Sequence, residues 1–381
     1  MTVHEPTEAL IREVGAFSPA GERVYDAFRA VHRELFIPAV GLADSRDGGV
    51  RVIDRDGDER DWLAAVYSDT VVVTQLDDGA TDLRRAAGDY TSSASAPSTV
   101  ADLLEWLSPE PGHRVLEIGT GTGWTAALLS HLVGPDGAVI SIEVDAAVAG
   151  QAAENLAAAG VHPHLVVGDG ADGCPGRAPF DRVHVTCGIR HIPYAWVRQS
   201  RPGGVIVLPY RPGFGAGHAL RLVVTPDGVA YGRFPGFASY MLMRSQRKPR
   251  PRPARRPEDK RWSSSLVDPR TVAHAPAGAG LAISALTGIA SVHAGDRDED
   301  GELFRLWLSD PADPYAWGTV EWRPGAGEYE VYQVGDRPLW DEVTDAYFRW
   351  VSWGEPGPDR FGMTVTPDGH HMWLHAPDNV I

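Results

Sequence analysis

The chain has 381 residues, 43% of them hydrophobic, and a formal net charge of −16 at pH 7. This length is enough for two globular domains with sizeable cores, and the acidic balance argues against a general nucleic-acid binder, which needs a basic surface. Only two cysteines occur, which excludes a disulfide scaffold and suits a reducing cytoplasm. The N-terminus has no apolar run and no segment is apolar enough to cross a bilayer, so we expect a cytoplasmic protein without signal peptide or membrane span.

The N-terminal region is predicted to begin with an amphipathic helix over Glu22–Phe36, which stops before Pro38. Residues 39–61 are acidic and rich in turn formers, and they predict a surface hairpin around Asp56-Gly57. A strand is expected over Tyr67–Gln75. A serine-rich segment, 91–99, then precedes an amphipathic helix over Val100–Leu107 and is typical of a helix cap with its turn.

The most informative segment is a glycine-rich turn between a predicted strand and a predicted helix. Arg114–Ile118 has the apolar density of a buried strand, Thr125–Val133 is helical by pattern, and Gly119, Gly121 and Gly123 lie between them. The free backbone N–H groups of such a helix start favour a polar or anionic ligand group, and glycines allow the ligand to approach the backbone. The turn therefore predicts a nucleotide-like ligand.

Three acidic or aromatic side chains narrow the class of ligand. Glu143 ends the next predicted strand, Ala138–Ile142, where a carboxylate accepts hydrogen bonds from both hydroxyls of a ribose. Trp124 occupies the position at which a dinucleotide site needs Gly or Ala. Glu117, inside the strand end, would repel a pyrophosphate but suits a cationic amino-acid group. With E-x-G-x-G-x-G in place, the segment resembles motif I of the S-adenosyl-L-methionine-dependent methyltransferases.

Strands and helices alternate through about residue 210, which predicts a Rossmann-like, doubly wound parallel α/β sheet with its ligand crevice at the carboxyl ends of the strands. The further predicted elements are a helix over Ala146–Ala159, strands over His164–Val167, Phe180–Thr186 and Val205–Pro209, a helix over Tyr194–Ser200, and a hairpin of Leu220–Thr225 and Val229–Phe234.

The methyltransferase resemblance implies S-adenosyl-L-methionine as the cofactor. It implies that Asp169 meets the adenine amino group, although this residue could simply cap its turn. The candidate cofactor-binding residues lie at the predicted strand ends and are Glu117, Gly119, Thr120, Gly121, Glu143, Val144, Gly168, Asp169, Gly170 and Thr186.

The N-terminal helix and the serine-rich segment resemble the protein-L-isoaspartate O-methyltransferases. The helix has the sequence V-Y-D-A-F-R-A-V-H-R-E-L-F-I-P, and the T-x-S-x-P loop of that family is matched by Ser93, Ser95 and Pro97. The resemblance implies that the loop serine lies between the methyl donor and a peptide carboxylate, so Ser93 and Ser95 are candidate catalytic residues. Two segments depart from the family pattern, Arg84–Tyr90 before the loop and Cys187-Gly188-Ile189 beside the expected cleft.

A basic, proline-rich segment separates this region from the C-terminal part of the chain. Nine Lys and Arg side chains lie between Met243 and Trp262, and the interleaved prolines forbid a helix or a central strand. The segment has two interpretations, a semi-rigid interdomain linker and a docking strip for an acidic peptide. We expect four regions: an N-terminal helix and hairpin region at 1–90, the catalytic domain at 91–240, the linker at 241–262, and a C-terminal α+β peptide-recognition extension at 263–381.

The C-terminal region predicts strands over Leu303–Leu308, Thr319–Trp322 and Tyr329–Val334, a helix over Leu339–Trp353, and a hairpin of Phe361–Thr366 and Met372–His375. Seven of the twelve tryptophans follow Trp262 and could build a core or an exposed aromatic floor for a peptide. The histidine pairs His162, His164 and His370, His371 lack the spacing of further ligands, so no metal site is expected.

The motifs R-P-L-W-D-E-V and F-G-M-T-V-T-P-D-G are similar to the C-terminal part of isoaspartyl-methyltransferase homologues that act in ribosomal-peptide natural-product pathways. This resemblance implies methylation of an aspartate in a lanthipeptide, lasso peptide or graspetide precursor, whose ester then closes to an aspartimide. A repair methyltransferase for isoaspartate and a non-catalytic peptide-binding module are the alternatives. In the enzymatic cases the substrate needs no general base, because a carboxylate with a pKa of about 4 is already the nucleophile at neutral pH.

Overall fold

The computed structural model describes residues 4–18, 20–45, 49–247, 251–254, 256–299 and 301–381. The chain divides into two compact units. The first comprises Met1–Cys187, Pro193–Leu208 and Arg221–Ala230, and the second comprises Gly188–Ile192, Pro209–Leu220 and Tyr231–Ile381. The four regions expected from sequence stay a prediction. None of the described helices combines the length and the apolar content that a transmembrane span needs.

The N-terminal part of the first unit contains a four-stranded antiparallel sheet with the order β2-β1-β3-β4. Its strands are β1 (Val40–Ser45), β2 (Gly49–Asp54), β3 (Val71–Leu76) and β4 (Tyr90–Ala94), and its helices are α1 (His4–Phe17), α2 (Glu22–Ala30) and α3 (Glu59–Val66). β4 is formed by part of the serine-rich segment, which therefore continues a sheet before it reaches the next helix.

The helix predicted over Glu22–Phe36 is too long. α2 ends at Ala30 because Val31 has an extended backbone, and Arg33–Phe36 forms a separate 3-10 turn. The Arg33 side chain is fully buried and donates hydrogen bonds to carbonyl oxygens more than thirty residues away in the chain. Helical spacing cannot reveal a contact of that range.

The predicted hairpin over 39–61 exists, but its turn is not at Asp56-Gly57. β1 pairs with β2 so that Ser45 lies opposite Gly49, and residues 46–48 lie outside the described residues. Asp56 and Gly57 instead lead into α3, whose N-cap is Asp58. The Asp58 side chain accepts a hydrogen bond from the Asp61 N–H, a capping arrangement that competes with a hairpin turn for the same residue types.

A parallel sheet is the centre of the first unit. Its strands have the order β9-β8-β5-β6-β7, and the order reverses between β5 and β8, the position at which open α/β sheets bind ligands. The predicted doubly wound α/β sheet is therefore confirmed. Its elements are α4 (Pro97–Leu107), β5 (Arg114–Ile118), α5 (Trp124–Val133), β6 (Ala138–Glu143), α6 (Ala146–Ala158), β7 (His164–Val167), β8 (Phe180–Val185), α7 (Tyr194–Arg198) and β9 (Ser200–Tyr210).

Two strands follow where a hairpin was predicted, β10 (His218–Val224) and β11 (Ala230–Phe237). The described residues of the second unit then form a five-stranded antiparallel sheet with the order β12-β16-β15-β14-β13, a hairpin that pairs with β11, and three helices. These elements are β12 (Lys260–Ser265), α8 (Pro269–Ala273), α9 (Ala277–Thr287), β13 (Ala290–Asp298), β14 (Gly301–Asp310), β15 (Asp313–Trp322), β16 (Tyr329–Val334), α10 (Leu339–Ser352), β17 (Phe361–Thr366) and β18 (Gly369–Leu374). The predicted α+β character is confirmed, although β12, β13, α8 and α9 were not predicted.

Some tryptophans that follow Trp262 fill the core of the second unit, and an aromatic floor for a peptide stays a prediction. Trp340 and Trp350 are 2% and 1% exposed and belong to the core, whereas Trp262 is 66% exposed. The Trp262 ring lies 4.5 Å from the Tyr332 ring across the β12–β16 pair. Aromatic residues therefore fill the core of this unit and also leave an aromatic surface on its sheet.

Candidate active site

The glycine-rich turn between β5 and α5 has a backbone that only glycine adopts without strain. Gly119, Gly121 and Gly123 have φ angles of 93°, 55° and 91°. A Cβ atom at Gly119 would lie 2.5 Å from the Thr186 Oγ1, and one at Gly123 would lie 3.1 Å from the Leu156 side chain. The turn thus needs glycine for its conformation and for its packing, and it presents bare backbone at the start of α5.

Hydrogen bonds from Thr186 connect this turn to the end of β8. Its backbone N–H donates to the Ile118 carbonyl at 2.9 Å, and its hydroxyl bonds to the carbonyl oxygens of Ile118 and Gly119. The Thr186 hydroxyl proton is therefore already engaged by backbone carbonyl oxygens. A direct contact between Thr186 and a cofactor stays a prediction.

Glu143, at the end of β6, holds the glycine turn from the other side. Its Oε2 accepts a hydrogen bond from the Gly121 N–H at 3.0 Å, and its Oε1 accepts one from the Asp145 N–H at 3.1 Å. Each carboxylate oxygen has two acceptor sites, so one remains on each oxygen for a ligand hydroxyl. The next residue, Val144, is 42% exposed. The structure thus places an oriented carboxylate beside the turn, as a ribose site requires.

Asp169 begins the turn that follows β7. Its Oδ1 accepts a hydrogen bond from the Ala171 N–H at 2.9 Å, which confirms the capping interpretation. Its other oxygen has no hydrogen-bond partner among the described residues. The turn itself is anchored, because the Gly168 N–H donates to the Glu143 carbonyl and the Trp196 Nε1 donates to the Gly170 carbonyl. Capping therefore leaves one carboxylate oxygen for a donor such as an amino group.

Cys187 follows Thr186, and its thiol interacts electrostatically with the carboxylates of Glu143 and Asp169. Burial raises the pKa of its thiol to about 12, and the negative charges of Glu143 and Asp169 contribute to the shift. The two acids and the thiol therefore lie at the same end of the sheet. At neutral pH the thiol is protonated, so it does not act as a nucleophile.

Glu117 is fully buried beneath the turn. Its Oε2 accepts a hydrogen bond from the Ser141 Oγ at 2.5 Å, and that hydroxyl lies 2.6 Å from the Thr120 Oγ1. Its Oε1 has no hydrogen-bond partner in the part of the chain that the structure describes. Burial raises the pKa of Glu117 from 4.5 to about 8, and the Glu143 carboxylate adds to the shift. Glu117 is therefore largely protonated at pH 7 without a ligand, a state that the sequence did not suggest.

Because the pKa of Glu117 is raised in the folded protein, the free energy of unfolding is expected to fall as the pH rises. A raised folded-state pKa gives a stabilising contribution that is fully present below about pH 4.5 and is lost as the pH rises through about 8. The Glu117→Gln variant cannot ionise. Between pH 5 and pH 8 we expect the free energy of unfolding of the wild type to fall by about 2–4 kcal/mol relative to this variant.

Urea unfolding of both proteins at the two pH values measures this difference. The Glu154→Gln variant is the control, because Glu154 is exposed on α6. A difference between wild type and Glu117→Gln that stays constant from pH 5 to pH 8 would show that Glu117 is ionised in the folded protein.

The serine-rich segment passes next to the glycine turn at Ser93. Ser93 belongs to β4, and its carbonyl oxygen would lie 3.6 Å from a Cβ atom at Gly121. Ser95 follows the strand, and neither residue caps α4, whose N-cap is Ala96 without a side-chain hydrogen bond. The capping interpretation of this segment is therefore wrong. Neither serine hydroxyl has a hydrogen-bond partner among the described residues, and both side chains are partly exposed.

Arg33 positions the loop that carries Ser95, and its role was not predicted. Its guanidinium donates to the carbonyl oxygens of Val66 at 2.7 Å, Thr70 at 2.8 Å and Ser95 at 3.0 Å, with a longer bond to Ser68. It lies 5.3 Å from the Trp124 ring. Burial lowers the pKa of Arg33 to about 10, so the side chain remains a cation at neutral pH. One buried side chain thus connects the serine loop with the start of α5.

The matched segment of the chain contains this site. Residues 63–223 match the family model of protein-L-isoaspartate(D-aspartate) O-methyltransferase (PCMT). That match includes the serine loop, the glycine turn, Glu143, Asp169 and Thr186.

Curated relatives are similar to the same central part of the chain. The protein-L-isoaspartate O-methyltransferase of Methanopyrus kandleri is 44% identical over 117 residues, which are 30% of this chain and 52% of the relative. That of Ignicoccus hospitalis is 39% identical over 135 residues, 35% of this chain and 64% of the relative. The chain spans about half the length of the curated relatives it matches.

A solved structure of a protein-L-isoaspartate O-methyltransferase is similar over 97% of this chain and 100% of its own, with a TM-score of 0.56 and 22% sequence identity. At this identity the likeness concerns the fold alone. It confirms the methyltransferase-like fold that motif I predicted.

The described residues contain no group of three or more His, Cys, Asp or Glu side chains arranged to hold a metal ion.

Proposed function

We propose that this chain is an S-adenosyl-L-methionine-dependent O-methyltransferase that esterifies an aspartate-type carboxylate in a peptide. The observation that carries the proposal is a serine loop whose backbone at Ser93 passes next to a glycine turn flanked by two oriented carboxylates. The hydroxyls of Ser93 and Ser95 on this loop have no hydrogen-bond partner among the described residues. The similarity of residues 63–223 to PCMT supports the same activity.

The residues present fit the cofactor. Glu143 has an acceptor site left on each oxygen for the ribose hydroxyls, and Asp169 has one free oxygen for the adenine amino group. The turn at Gly119 and Gly121 lacks the Cβ atoms that would fill the space along the backbone. Glu117, buried next to the turn with one free oxygen, is the remaining acid for a cationic headgroup. When bound, the cofactor supplies a sulfonium methyl group.

The protein contributes orientation rather than acid or base catalysis. The substrate carboxylate is ionised at neutral pH, so no residue has to remove a proton from it. In agreement with this, two buried side chains that could act as a base or a nucleophile are neutral, since burial raises the pKa of Cys187 to about 12 and lowers that of His184 to about 4. The hydroxyls of Ser93 and Ser95 donate to the carboxylate and align one oxygen with the methyl group, which is catalysis by proximity.

The finer proposal concerns the substrate. The chain continues for more than 150 residues beyond the segment that matches PCMT, with an exposed aromatic surface at Trp262 and a basic segment before it. These features favour a peptide larger than an isolated isoaspartyl site, such as a ribosomally synthesised precursor with installed rings. In such a peptide the methyl ester is attacked by the next amide nitrogen, methanol leaves, and an aspartimide forms.

Mass spectrometry separates the candidate substrates. The protein is incubated with the methyl donor and either a cyclised aspartate-containing precursor or a linear isoaspartyl peptide. A methyl gain on the precursor followed by loss of methanol supports the finer proposal, and turnover of the isoaspartyl peptide alone supports a repair enzyme. A non-catalytic peptide-binding module is expected to bind peptide without binding S-adenosylhomocysteine.

The serine loop provides a variant-level test of the mechanism. We expect Ser95→Ala to lower kcat by about 10- to 100-fold with the Kd for S-adenosylhomocysteine unchanged, because the hydroxyl orients the substrate and not the cofactor. The control is Thr99→Ala, two positions into α4 beyond Pro97. An unchanged kcat for both Ser95→Ala and Ser93→Ala would show that these hydroxyls do not orient the carboxylate.

A further inference from the structure

A cavity of about 750 Å³ lies within the second unit. Its walls include Arg190, Tyr210, Met363, His370 and Met372. The volume is in the range of ligand sites, and the mixture of apolar and polar side chains is typical of them. None of the candidate cofactor residues belongs to this cavity.

Arg190 is the unusual member of the cavity wall. The residue is only 9% exposed, its Nε has no hydrogen-bond partner, and its guanidinium makes no hydrogen bond or ion pair with any described residue. Burying a cation without a partner is costly, and an arginine is rarely left in this state without a ligand. Burial also lowers the pKa of Arg190, with Tyr210 opposing the shift and the positive charge of Arg211 adding to it.

The surrounding structure holds Arg190 in place. The Gln246 Oε1 accepts hydrogen bonds from the backbone N–H groups of Arg190 at 2.8 Å and His191 at 2.9 Å, and its Nε2 donates to the His191 carbonyl at 2.7 Å. Gly213 has a φ angle of 125°, and a Cβ atom there would lie 2.9 Å from the Arg190 Nη2. The absence of a side chain at Gly213 therefore leaves room for the Arg190 guanidinium, and Gln246 fixes the Arg190 backbone.

Two other titratable side chains of the wall, Arg337 and His370, offer no free positive charge to the same ligand. Arg337 is already paired with Asp310 at 2.7 Å and with Glu342 at 2.6 Å. Burial lowers the pKa of His370 to about 4, so its ring is neutral. Its Nδ1 accepts from the Ile192 N–H at 3.5 Å, which leaves the proton on Nε2 as a hydrogen-bond donor.

We propose that this cavity binds a carboxylate group of a peptide, with the Arg190 guanidinium as its principal partner. The planar fork of arginine matches the two oxygens of a carboxylate. The neutral His370 adds a donor, and Met363, Met372 and Tyr210 accommodate the apolar part of the adjoining residue. The carboxylate comes from the peptide C-terminus or from an acidic side chain. The proposal does not depend on the proposed methyl transfer.

Calorimetric titration of the full-length protein without methyl donor tests the proposal. The probes are Ac-Ala-Phe-Ala-Leu with a free C-terminal carboxylate, the same peptide as its amide, and the amide with Asp in place of the second Ala. We expect at least one carboxylate probe to bind and the neutral amide not to bind. The probe that binds identifies the source of the carboxylate, and acetate is expected to bind more weakly than that probe.

Three variants complete the test. We expect Arg190→Gln to weaken binding by about 10- to 100-fold, Arg190→Lys to weaken it less, and the exposed control Arg297→Gln to leave it unchanged. If Arg190→Gln does not fold, Arg190→Lys and the amide probe decide the question. Failure of both carboxylate probes to bind, equal binding of the amide, unchanged binding by a folded Arg190→Gln, or equal affinity for acetate would overturn the proposal. A lack of methyl transfer alone would leave it standing.

Discussion

Replacement of Glu143 by alanine is expected to weaken the binding of S-adenosylhomocysteine by about 100-fold. The Glu143 carboxylate orients the Gly121 N–H and the Asp145 N–H and keeps one acceptor site on each oxygen for ribose hydroxyls. A hydrogen bond to a charged group contributes about 1.5–3 kcal/mol, so the loss of the ribose contacts and of the ordered turn corresponds to about two orders of magnitude.

Calorimetric titration with S-adenosylhomocysteine measures this effect. The matched control is Glu154→Ala, which removes an exposed glutamate of the same unit. The Glu143→Ala protein must keep the circular dichroism spectrum of the wild type. A folded variant with a Kd within about threefold of the wild-type value would show that Glu143 does not hold the ribose.

The Arg33→Met variant is expected to lower the free energy of unfolding by about 3–5 kcal/mol. Methionine fills a similar volume but removes the donor from the buried carbonyl oxygens of Val66 and Thr70 and from the partly buried one of Ser95. Because one of these carbonyls belongs to the serine loop, we also expect kcat to fall in the folded fraction.

Urea unfolding of the wild type and the variant gives the change in stability. The control is Arg12→Met, since Arg12 is an exposed arginine of α1 in the same unit. Arg33→Lys is expected to be intermediate, because an ammonium group cannot reach four carbonyl oxygens as a planar guanidinium does. A loss below about 1 kcal/mol for Arg33→Met would mean that water replaces the guanidinium at these carbonyls.

The parallel sheet was predictable because its signals are local. Dense apolar runs mark β5 and β6, the glycines mark the turn before α5, and Gly160 follows the end of α6. By contrast, α9 has the sequence A-G-A-G-L-A-I-S-A-L-T, in which two glycines oppose the helix and only burial in the core of the second unit stabilises it. Tertiary contacts of that kind leave little trace in local periodicity.

In the candidate site too, features set by the local sequence were predictable, whereas features set by contacts between distant residues were not. The positions of Gly119, Glu143 and Asp169 follow from strand ends, and the structure brings their turns together through hydrogen bonds. The protonation state of Glu117 depends on burial, which a sequence does not state. The roles of Arg33 and Arg190 depend on partners, or on missing partners, that lie far away in the chain. In the sequence, Arg33 stood out only as a part of the R-E-L-F-I-P segment that resembles the family, and its hydrogen bonds could not be predicted.

The central claim is that the glycine turn between β5 and α5 binds the methyl donor. Titration of the wild-type protein with S-adenosylhomocysteine tests it most directly, because the measurement requires no knowledge of the peptide. The account predicts saturable binding of one ligand per chain with a Kd in the micromolar range. A folded protein that shows no binding at millimolar ligand would contradict it.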